Sequence, residues 1–174
     1  MTRTRVAAKV ESRWRIGHDS PVPSLYTFVA LSVCLDTVNR VLLTRESRPD
    51  CRGQFYVPAG RGNPGEDPLG IARRITAEKT GLSVEPLGIL GVVHNPPVGQ
   101  FPGQLRVFVR ARPQGGVLKT VEDRHSMGAV WAEHDQVRHL KLRSDDFLSW
   151  LEDAVLGQAP ILPTAFWRTI GSAV

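Results

Sequence analysis

The chain has 174 residues, a length that fits one domain with its own hydrophobic core. Hydrophobic residues make up 41% of the chain and charged residues 22%, a balance that is typical of globular proteins and excludes a largely disordered chain. No apolar run approaches the ~20 residues that a membrane-spanning helix needs, so we expect no membrane partner.

The net charge of +5 is concentrated at the N-terminus. The first 15 residues hold five basic side chains and one acidic side chain, which give this segment a net charge of +4 and leave +1 for the rest of the chain. A basic tail is weak support for a nucleic-acid-binding face, and nucleic acid is not an expected partner. We interpret residues 1–23 as a loosely packed tail, and its arginines leave organellar targeting open as an alternative.

Two cysteines are too few for the disulfide framework of a small secreted domain. We therefore expect an intracellular protein, with the cytoplasm as the first choice of compartment. Cys34 lies in an apolar run and is interpreted as a core residue. Cys51 lies among Pro, Asp, Arg and Gly residues and is expected in a loop, where a structural role is favoured over a reactive thiol.

The first predicted elements are strands. Residues 25–34 are rich in β-branched and aromatic side chains, residues 36–39 form a turn, and residues 41–44 are again strand-like. This order predicts a β-hairpin. Residues 54–57 are predicted to form a further short strand, which Pro58 ends.

A capped helix follows a glycine-rich segment. Residues 60–66 have the composition of an irregular loop, and Asp67 followed by Pro68 is typical of a helix start, with Asp67 as the N-cap. The helix is predicted to run to Thr80, and Gly81 is predicted to end it as a C-cap.

Strand patterns return in the second half of the chain, at residues 89–93, 105–111 and 128–131. A loop rich in proline and glycine, residues 95–103, separates the first two. Ser144 is the predicted cap of a final amphipathic helix, whose apolar face is formed by Phe147, Leu148, Leu151 and Val155.

The alternation of strands and helices predicts an α+β domain. One helix follows each group of strands, which favours an αβα sandwich around a mixed β-sheet. We place this domain at residues 24–165 and a C-terminal tail at residues 166–174. The sequence makes no prediction of the oligomeric state.

Residues 60–82 contain the most specific motif of the chain. Its fixed positions are Gly60, Glu66, Arg74, Glu78, Gly81 and Leu82. Their spacing resembles the Nudix box, Gly-x5-Glu-x7-Arg-Glu-U-x-Glu-Glu-x-Gly-U, in which U is a bulky aliphatic residue. Residues 50–61, 111–120 and 160–163 are similar to the branch of this family that hydrolyses oxidised guanine nucleoside diphosphates, the 8-oxo-dGDP phosphatases.

The resemblance implies a Nudix (MutT-like) fold and a hydrolase that uses Mg²⁺. It also implies a partner that is a nucleotide or another small molecule with a diphosphate group. Glu78 and Glu66 are the metal ligands that the resemblance suggests, and Arg74 is the residue that orients Glu78. The alternative for Glu66, just before the helix, is a favourable interaction with the positive helix end. The alternative for Arg74 and Glu78 is an ordinary ion pair one helical turn apart.

The departures from the box concern the metal. Ile75 and Lys79 occupy positions at which the family has Glu, and Thr76 replaces an aliphatic residue. Because Ile75 and Lys79 are four residues apart, they share one helix face, and we expect both to point into the cleft where the family holds its metal. One lost oxygen ligand and one added ammonium group argue against magnesium-dependent hydrolysis. In the alternative of metal-independent chemistry, Lys79 would supply the positive charge that a metal supplies elsewhere.

Four histidine or acidic residues complete the metal and acid–base candidates. Nudix enzymes often draw a carboxylate from six residues before a Trp, and His125 has that position here, with Glu122 and Asp123 as nearby substitutes. His94, at a predicted strand end, is a candidate acid–base group, although most such histidines have no catalytic role.

Four residues are candidate substrate contacts. Gly60 and Arg61 lie in the glycine-rich loop, where Arg61 is either a bidentate phosphate ligand or a solvated loop charge. Tyr56 and Phe101 are candidates for stacking on a base, with core or loop packing as the alternative.

Three functions remain open from the sequence. The domain is a Nudix hydrolase with a degenerate box, a non-catalytic domain that binds a nucleotide or a protein partner, or an enzyme with metal-independent chemistry. The loss of two ligand positions on one helix face favours the last two, because the fold alone does not decide the activity.

Overall fold

Two β-sheets and two α-helices make up the part of the chain that this computed structural model describes, residues 26–158 and 161–167. In chain order the elements are β1 (Tyr26–Cys34), β2 (Arg40–Arg45), β3 (Phe55–Tyr56), β4 (Ala59–Arg61), α1 (Pro68–Thr80), β5 (Leu82–Asn95), β6 (Gly103–Gly116), β7 (Ala129–Glu133), α2 (Leu148–Leu156) and β8 (Leu162–Pro163). Short 3-10 helices lie at Pro49–Cys51, Val137–His139 and Thr164–Phe166.

The larger sheet has five strands in the order β4-β1-β6-β5-β8. Strands β1 and β6 are parallel, and the other neighbours are antiparallel, so this sheet is mixed. The smaller sheet has the order β3-β2-β7 and is antiparallel.

Helices α1 and α2 pack against opposite faces of the larger sheet. Side chains alternate between the two faces along β1. Ala30 belongs to an apolar cluster with Ile71 and Ile75 of α1, whereas Leu31 belongs to a second cluster with Leu151 of α2. The prediction of an α+β fold with a mixed sheet between helices is therefore confirmed.

Helix α1 has the bounds that its capping residues predict. Asp67 Oδ1 accepts a hydrogen bond from the Gly70 amide at 2.7 Å, and Pro68 is the first helical residue. Gly81 ends the helix in the left-handed region with a φ of 76°. A Cβ at Gly81 would lie 2.2 Å from the Val117 carbonyl oxygen, so close packing as well as backbone conformation requires glycine there.

Strands β1 and β2 do not form the predicted hairpin. They belong to different sheets and are joined at an isolated bridge between Leu35 and Val41. The reason is that β1 is hydrogen-bonded on both sides, to β4 and to β6, and has no edge left for β2. Asp36 tightens the turn between them by accepting hydrogen bonds from the amides of Val38 and Arg40.

Residues outside the predicted strand patterns also form strands. Gly60 and Arg61 belong to β4, where Gly60 pairs with Ala30, so the irregular loop before α1 is shorter than predicted. Strands β5 and β6 each have 14 residues, because they pair along most of their length and register shifts near Pro86 absorb the irregularities.

Helix α2 begins at Leu148, later than predicted, and Ser144 is not its cap. Ser144 Oγ instead accepts a hydrogen bond from the Asp146 amide at 3.3 Å. Phe147, immediately before the helix, is fully buried and packs edge-on against Tyr56, with ring centroids 5.4 Å apart. A buried aromatic ring therefore fixes this helix end in place of a side-chain cap.

Both cysteines are buried. Burial raises the pKa of the Cys34 thiol to about 12. Cys51 lies in the 3-10 helix Pro49–Cys51 and is 5% exposed, so the prediction of a loop position is wrong. Burial also raises the pKa of Cys51, and neither thiol has the exposed, low-pKa character of a reactive cysteine.

The predicted N-terminal tail, residues 1–23, lies outside the described residues, as do residues 168–174 of the predicted C-terminal tail at 166–174. Trp167 packs edge-on against Phe28 with ring centroids 5.6 Å apart, so the packed domain extends past the predicted boundary at residue 165. The described part of the chain contains no helix that is long and apolar enough to cross a membrane.

Candidate functional site

A cleft of about 570 Å³ lies beside the C-terminal turn of α1. Its walls come from β1, β3, β4, β6, α1, the loop after β2 and the loops that precede β7 and α2. Basic side chains dominate the lining: Arg48, Arg61, Lys79, Arg106, Arg124 and Arg143. The carboxylate of Asp146 lines the cleft with them.

The cations of the cleft outnumber the carboxylates that contact them. Arg48 and Arg106 each pair with one aspartate. Lys79 and Arg143 share a single carboxylate, that of Glu46. Six cations therefore face three carboxylates, and this excess makes the cleft attractive to anions.

Lys79 is held on a buried carboxylate. Its Nζ lies 3.3 Å from both carboxylate oxygens of Glu46, and Arg143 NH1 lies 3.4 Å from Glu46 Oε1. Glu46 is fully buried. A buried charge of this kind is stable only when paired and hydrogen-bonded, and here two cations share that role.

A second network crosses the cleft floor between Tyr56, Asp146 and Arg106. The Tyr56 hydroxyl donates to Asp146 Oδ1 at 2.7 Å, and the Arg106 guanidinium donates to both residues. Burial and the hydrogen bond to Asp146 raise the pKa of Tyr56. Burial favours the neutral form of Asp146, but the hydrogen bonds from Tyr56 and Arg106 outweigh it and lower the pKa of that carboxyl.

The proposed stacking role of Tyr56 does not fit its surroundings. The side chain lines the cleft but is 1% exposed, and the Arg143 guanidinium lies over its ring at 5.0 Å from the centroid. Phe147 packs edge-on against the same ring. Tyr56 is a core residue that supports the cleft floor, and its ring has no open face for a base.

Glu66, Arg74 and Glu78 form a cluster at the start and along one side of α1. Arg74 donates to both oxygens of Glu66, from Nε at 2.8 Å and from NH2 at 2.7 Å, and also to the Arg61 carbonyl at 2.9 Å. Its NH1 lies 3.3 Å from Glu78 Oε2. The hydrogen bonds from Arg74 lower the pKa of Glu66. This arrangement ties β4 and the loop before α1 to the helix.

His125 lies where the cleft meets this cluster. Its Nδ1 is 3.8 Å from Glu78 Oε2, and its Nε2 accepts a hydrogen bond from Arg124 Nε at 2.9 Å. The two acids that could have replaced a carboxylate there have other partners. Glu122 forms a two-point ion pair with an arginine, and Asp123 binds a lysine and two backbone amides.

Ile75 does not share the position of Lys79 in the cleft. It is 2% exposed and belongs to the apolar cluster between α1 and the sheet. Gly60 makes room for it, because a Cβ at Gly60 would lie 2.5 Å from Ile75 Cγ2. The expectation that both replaced glutamate positions point into the cleft is therefore wrong for Ile75, whose alkyl side chain is stabilised by burial in the core.

His94 and Phe101 lie away from the cleft. His94 pairs with Leu105, and cross-strand partners share one face of a sheet. Because successive residues of a strand alternate between the two faces, His94 lies on the face opposite that of Arg106. His94 Nε2 is 2.9 Å from the Tyr26 hydroxyl. Phe101 is 69% exposed in the loop between β5 and β6. Neither position supports the predicted acid–base or stacking role in this cleft.

The donor set does not fit the magnesium site that the resemblance implies. Across residues 26–158 and 161–167, no three His, Cys, Asp or Glu side chains converge in a way that would hold a metal ion. Glu66 and Glu78 are both drawn to Arg74, and the two remaining box positions carry an alkyl group and an ammonium group. Mg²⁺ needs several oxygen ligands in near-octahedral geometry.

Most charged residues of the cleft had no sequence signal. Arg48, Arg124, Arg143 and Asp146 come from three separate loops and match no local motif. Arg106 is the exception. It interrupts the apolar residues of a predicted strand, and a cation at such a position is unusual and indicates a binding partner.

Comparisons with known proteins agree with this architecture. The family model described as "NUDIX domain" matches residues 26–151. The "8-oxo-dGDP phosphatase NUDT18" of Homo sapiens is 36% identical over 127 residues, which are 72% of this chain and 38% of the relative. The protein of the same name from Danio rerio is 31% identical over 127 residues, 72% of this chain and 37% of the relative. The matched region therefore spans less than two fifths of these relatives.

Solved structures show the same fold. A "NUDIX hydrolase from Nitrosomonas europaea" has a TM-score of 0.71 at 21% identity and covers 84% of this chain and 99% of its own. The "NUDIX domain of Shewanella oneidensis NrtR complexed with ADP ribose" has a TM-score of 0.60 at 18% identity, with 84% and 95% covered. At these identities the likeness shows the fold alone. Because the family model covers most of the chain and the capped helix and mixed sheet have the expected arrangement, the chain belongs to the NUDIX domain family.

Proposed function

We propose that this Nudix domain binds a nucleoside diphosphate derivative in its basic cleft without a divalent metal ion. The observation that carries the proposal is Lys79, whose ammonium group lies in the cleft although the family has glutamate at this box position. Phosphate oxygens would contact this cation directly. Oxidised guanine nucleotides are the first ligands to test, because relatives at 31% and 36% identity are named 8-oxo-dGDP phosphatases.

The other cations of the cleft suit the same ligand. An arginine guanidinium presents a planar fork that matches two phosphate oxygens, and charge-assisted hydrogen bonds of this type are the strong ones. Arg61 is exposed at the end of β4, next to the loop that precedes α1, and Arg124 enters from the loop before β7. A ligand with two linked phosphates can contact more of these groups than a single phosphate can.

The acids of the box support binding over magnesium-dependent hydrolysis. Glu66 makes a two-point hydrogen-bonded pair with Arg74, so it is committed to holding the loop against the helix. Glu78 is the remaining box acid, and one carboxylate beside the cation of Lys79 would bind Mg²⁺ weakly.

Metal-independent hydrolysis is the second candidate function, and His125 favours it. This histidine lines the cleft with Nδ1 directed at Glu78 and Nε2 at Arg124. Nε2 would be the base: once Arg124 turns from Nε2 to a phosphate oxygen, Nε2 can accept a proton from a water molecule that attacks a phosphorus atom, while the bridging P–O bond breaks. Turnover that persists in a chelator and depends on His125 would support it.

The test is calorimetry with dGDP, 8-oxo-dGDP and ADP-ribose, in Mg²⁺ and in a chelator. We expect at least one nucleotide to bind with the same affinity in both conditions. Lys79→Met should weaken binding by about tenfold, the loss of one charge-assisted contact, whereas Lys141→Met at an exposed site should not. Chelator-sensitive turnover by the wild type would contradict the proposal and restore an ordinary magnesium-dependent hydrolase.

A further inference from the structure

We infer that Glu46 is the positioning residue of the cleft: its buried carboxylate holds the Lys79 ammonium group where a phosphate can bind it. Together with Arg143, which contacts the same carboxylate, the pair leaves one positive charge in the cleft for an anion. The inference rests on the proposed function, and it adds a residue that lies outside the Nudix box and outside the cleft lining.

Glu46 is the buried member of the pair and Lys79 is the accessible member. The Glu46 side chain is 0% exposed and that of Lys79 is 15% exposed. Lys79 Nζ is equally far, 3.3 Å, from both Glu46 oxygens. An ammonium group has three N–H donors, so a donor remains for a ligand after two are directed at the carboxylate.

The backbone at both ends of the pair is fixed. The Glu46 amide donates to the Gln54 carbonyl at 2.9 Å, and the Glu46 carbonyl accepts from the Gly53 amide at 2.8 Å. The Lys79 carbonyl accepts from Ser126 Oγ at 2.6 Å. A long lysine side chain normally loses much conformational freedom when it binds an anion, and a carboxylate that already holds it reduces that cost.

The charge balance leaves this group cationic. Glu46 carries one negative charge and contacts two cations, Lys79 and Arg143. Arg143 also lies over the Tyr56 ring, which limits its movement. One positive charge is thus left over at the cleft floor, in a partly desolvated place where it attracts a phosphate group more strongly than in water.

The test is a double-mutant cycle on Glu46→Gln and Lys79→Met, with inorganic pyrophosphate as the probe, in a chelator and measured by calorimetry. If Glu46 acts through Lys79, Glu46→Gln weakens pyrophosphate binding by about threefold to tenfold. Charge alone predicts the opposite effect, because the substitution removes a negative charge near the bound anion. The double variant then binds no more weakly than Lys79→Met alone. Glu85→Gln, which breaks an exposed ion pair with Arg112 outside the cleft, is the control and leaves affinity unchanged.

Chemical rescue separates positioning from a structural role. Lys79→Ala should regain pyrophosphate binding when ethylammonium is added, because the free amine can occupy the place beside the Glu46 carboxylate. The rescue should be lost when Glu46→Gln is combined with Lys79→Ala, whereas a purely structural role of Glu46 would not select for an amine. If Glu46→Gln does not fold, Glu46→Asp replaces it, because this variant retains the charge. Glu46→Asp should weaken pyrophosphate binding when Lys79 is present and should have no effect in the Lys79→Met background.

Three results would overturn the inference. Tighter or unchanged pyrophosphate binding by Glu46→Gln would show that Glu46 does not position Lys79 for the anion. Additive losses in the double variant would show that Glu46 acts independently of Lys79. A wild type that binds neither pyrophosphate nor nucleotide would overturn the proposed function as well, whereas binding without coupling overturns this inference alone.

Discussion

Gly60 and Ile75 pack so closely that a Cβ at Gly60 would lie 2.5 Å from Ile75 Cγ2. Ile75 takes a box position that the family fills with glutamate, yet it is buried in the apolar cluster beneath α1. The replacements at the two glutamate positions, Ile75 and Lys79, therefore have different consequences. The change at Ile75 adds to the core, and the change at Lys79 alters the charge of the cleft.

Gly60→Ala should destabilise the domain. The added Cβ clashes with Ile75, and overpacking of this kind costs about 1–3 kcal/mol of the free energy of unfolding. Combining it with Ile75→Ala removes Cγ2, so urea denaturation should show a double variant less destabilised than the sum of the two single variants. Gly115→Ala is the matched control, since its Cβ would meet Ser83 Oγ at an ordinary 3.7 Å. Equal losses at Gly60 and Gly115 would refute the clash.

Tyr56→Phe tests the network on the cleft floor. The variant removes a buried hydroxyl that donates to Asp146 and accepts from Arg106, and leaves those partners with one hydrogen bond fewer. We expect a loss of about 1–3 kcal/mol in the free energy of unfolding, measured by chemical denaturation. Tyr26→Phe removes an exposed hydroxyl beside His94 and should cost less than about 0.5 kcal/mol. Similar losses in both variants would show that the Tyr56 hydroxyl contributes little.

The sequence predicts the parts of this fold that depend on local signals. Asp67, Pro68 and Gly81 define α1 through capping and backbone conformation, which act within a few residues. The hairpin between β1 and β2 fails as a prediction because strand pairing depends on which edges are free, and β6, far along the chain, occupies the second edge of β1.

The cleft shows the same division between local and distant information. Lys79 can be identified from its place in the box, since the helix periodicity fixes which face it lies on. Glu46 cannot, because its importance comes from an ion pair with a residue 33 positions later in the chain. Ile75 shows the limit of periodicity as well: it lies near the same helix face as Lys79, but its alkyl side chain packs toward the sheet.

Glu66 should make the stability of the domain depend on pH. Hydrogen bonds from Arg74 hold the pKa of Glu66 below its ordinary value of 4.5. A carboxyl whose pKa is lower in the folded state contributes stability at neutral pH, and this contribution is lost as the pH falls through the folded-state pKa. The gap in free energy of unfolding between wild type and Glu66→Gln should therefore shrink from about pH 7 to about pH 3.

Glu133→Gln is the control for that pH series, because Glu133 is exposed at the end of β7. Its gap from wild type should stay small and nearly constant in the same denaturation series. A Glu66→Gln gap that does not change with pH would mean that the pair with Arg74 contributes no net stability.

Lys79→Glu should create or strengthen divalent-cation binding in the cleft. The new carboxylate would replace an ammonium group that lies 3.3 Å from the buried oxygens of Glu46, and Glu78 is its helical neighbour. Without a metal these acids repel one another, so the variant should unfold at a lower temperature than wild type. Bound Mg²⁺ should then stabilise the folded variant, by about 2.7 kcal/mol at a Mg²⁺ concentration one hundred times the Kd. Thermal unfolding with and without Mg²⁺, together with calorimetry, measures both effects, and Lys141→Glu controls for the change in net charge at an exposed position. If Mg²⁺ stabilises wild type and Lys79→Glu equally, then Lys79 does not exclude the metal, and the reason for proposing metal-free binding is gone.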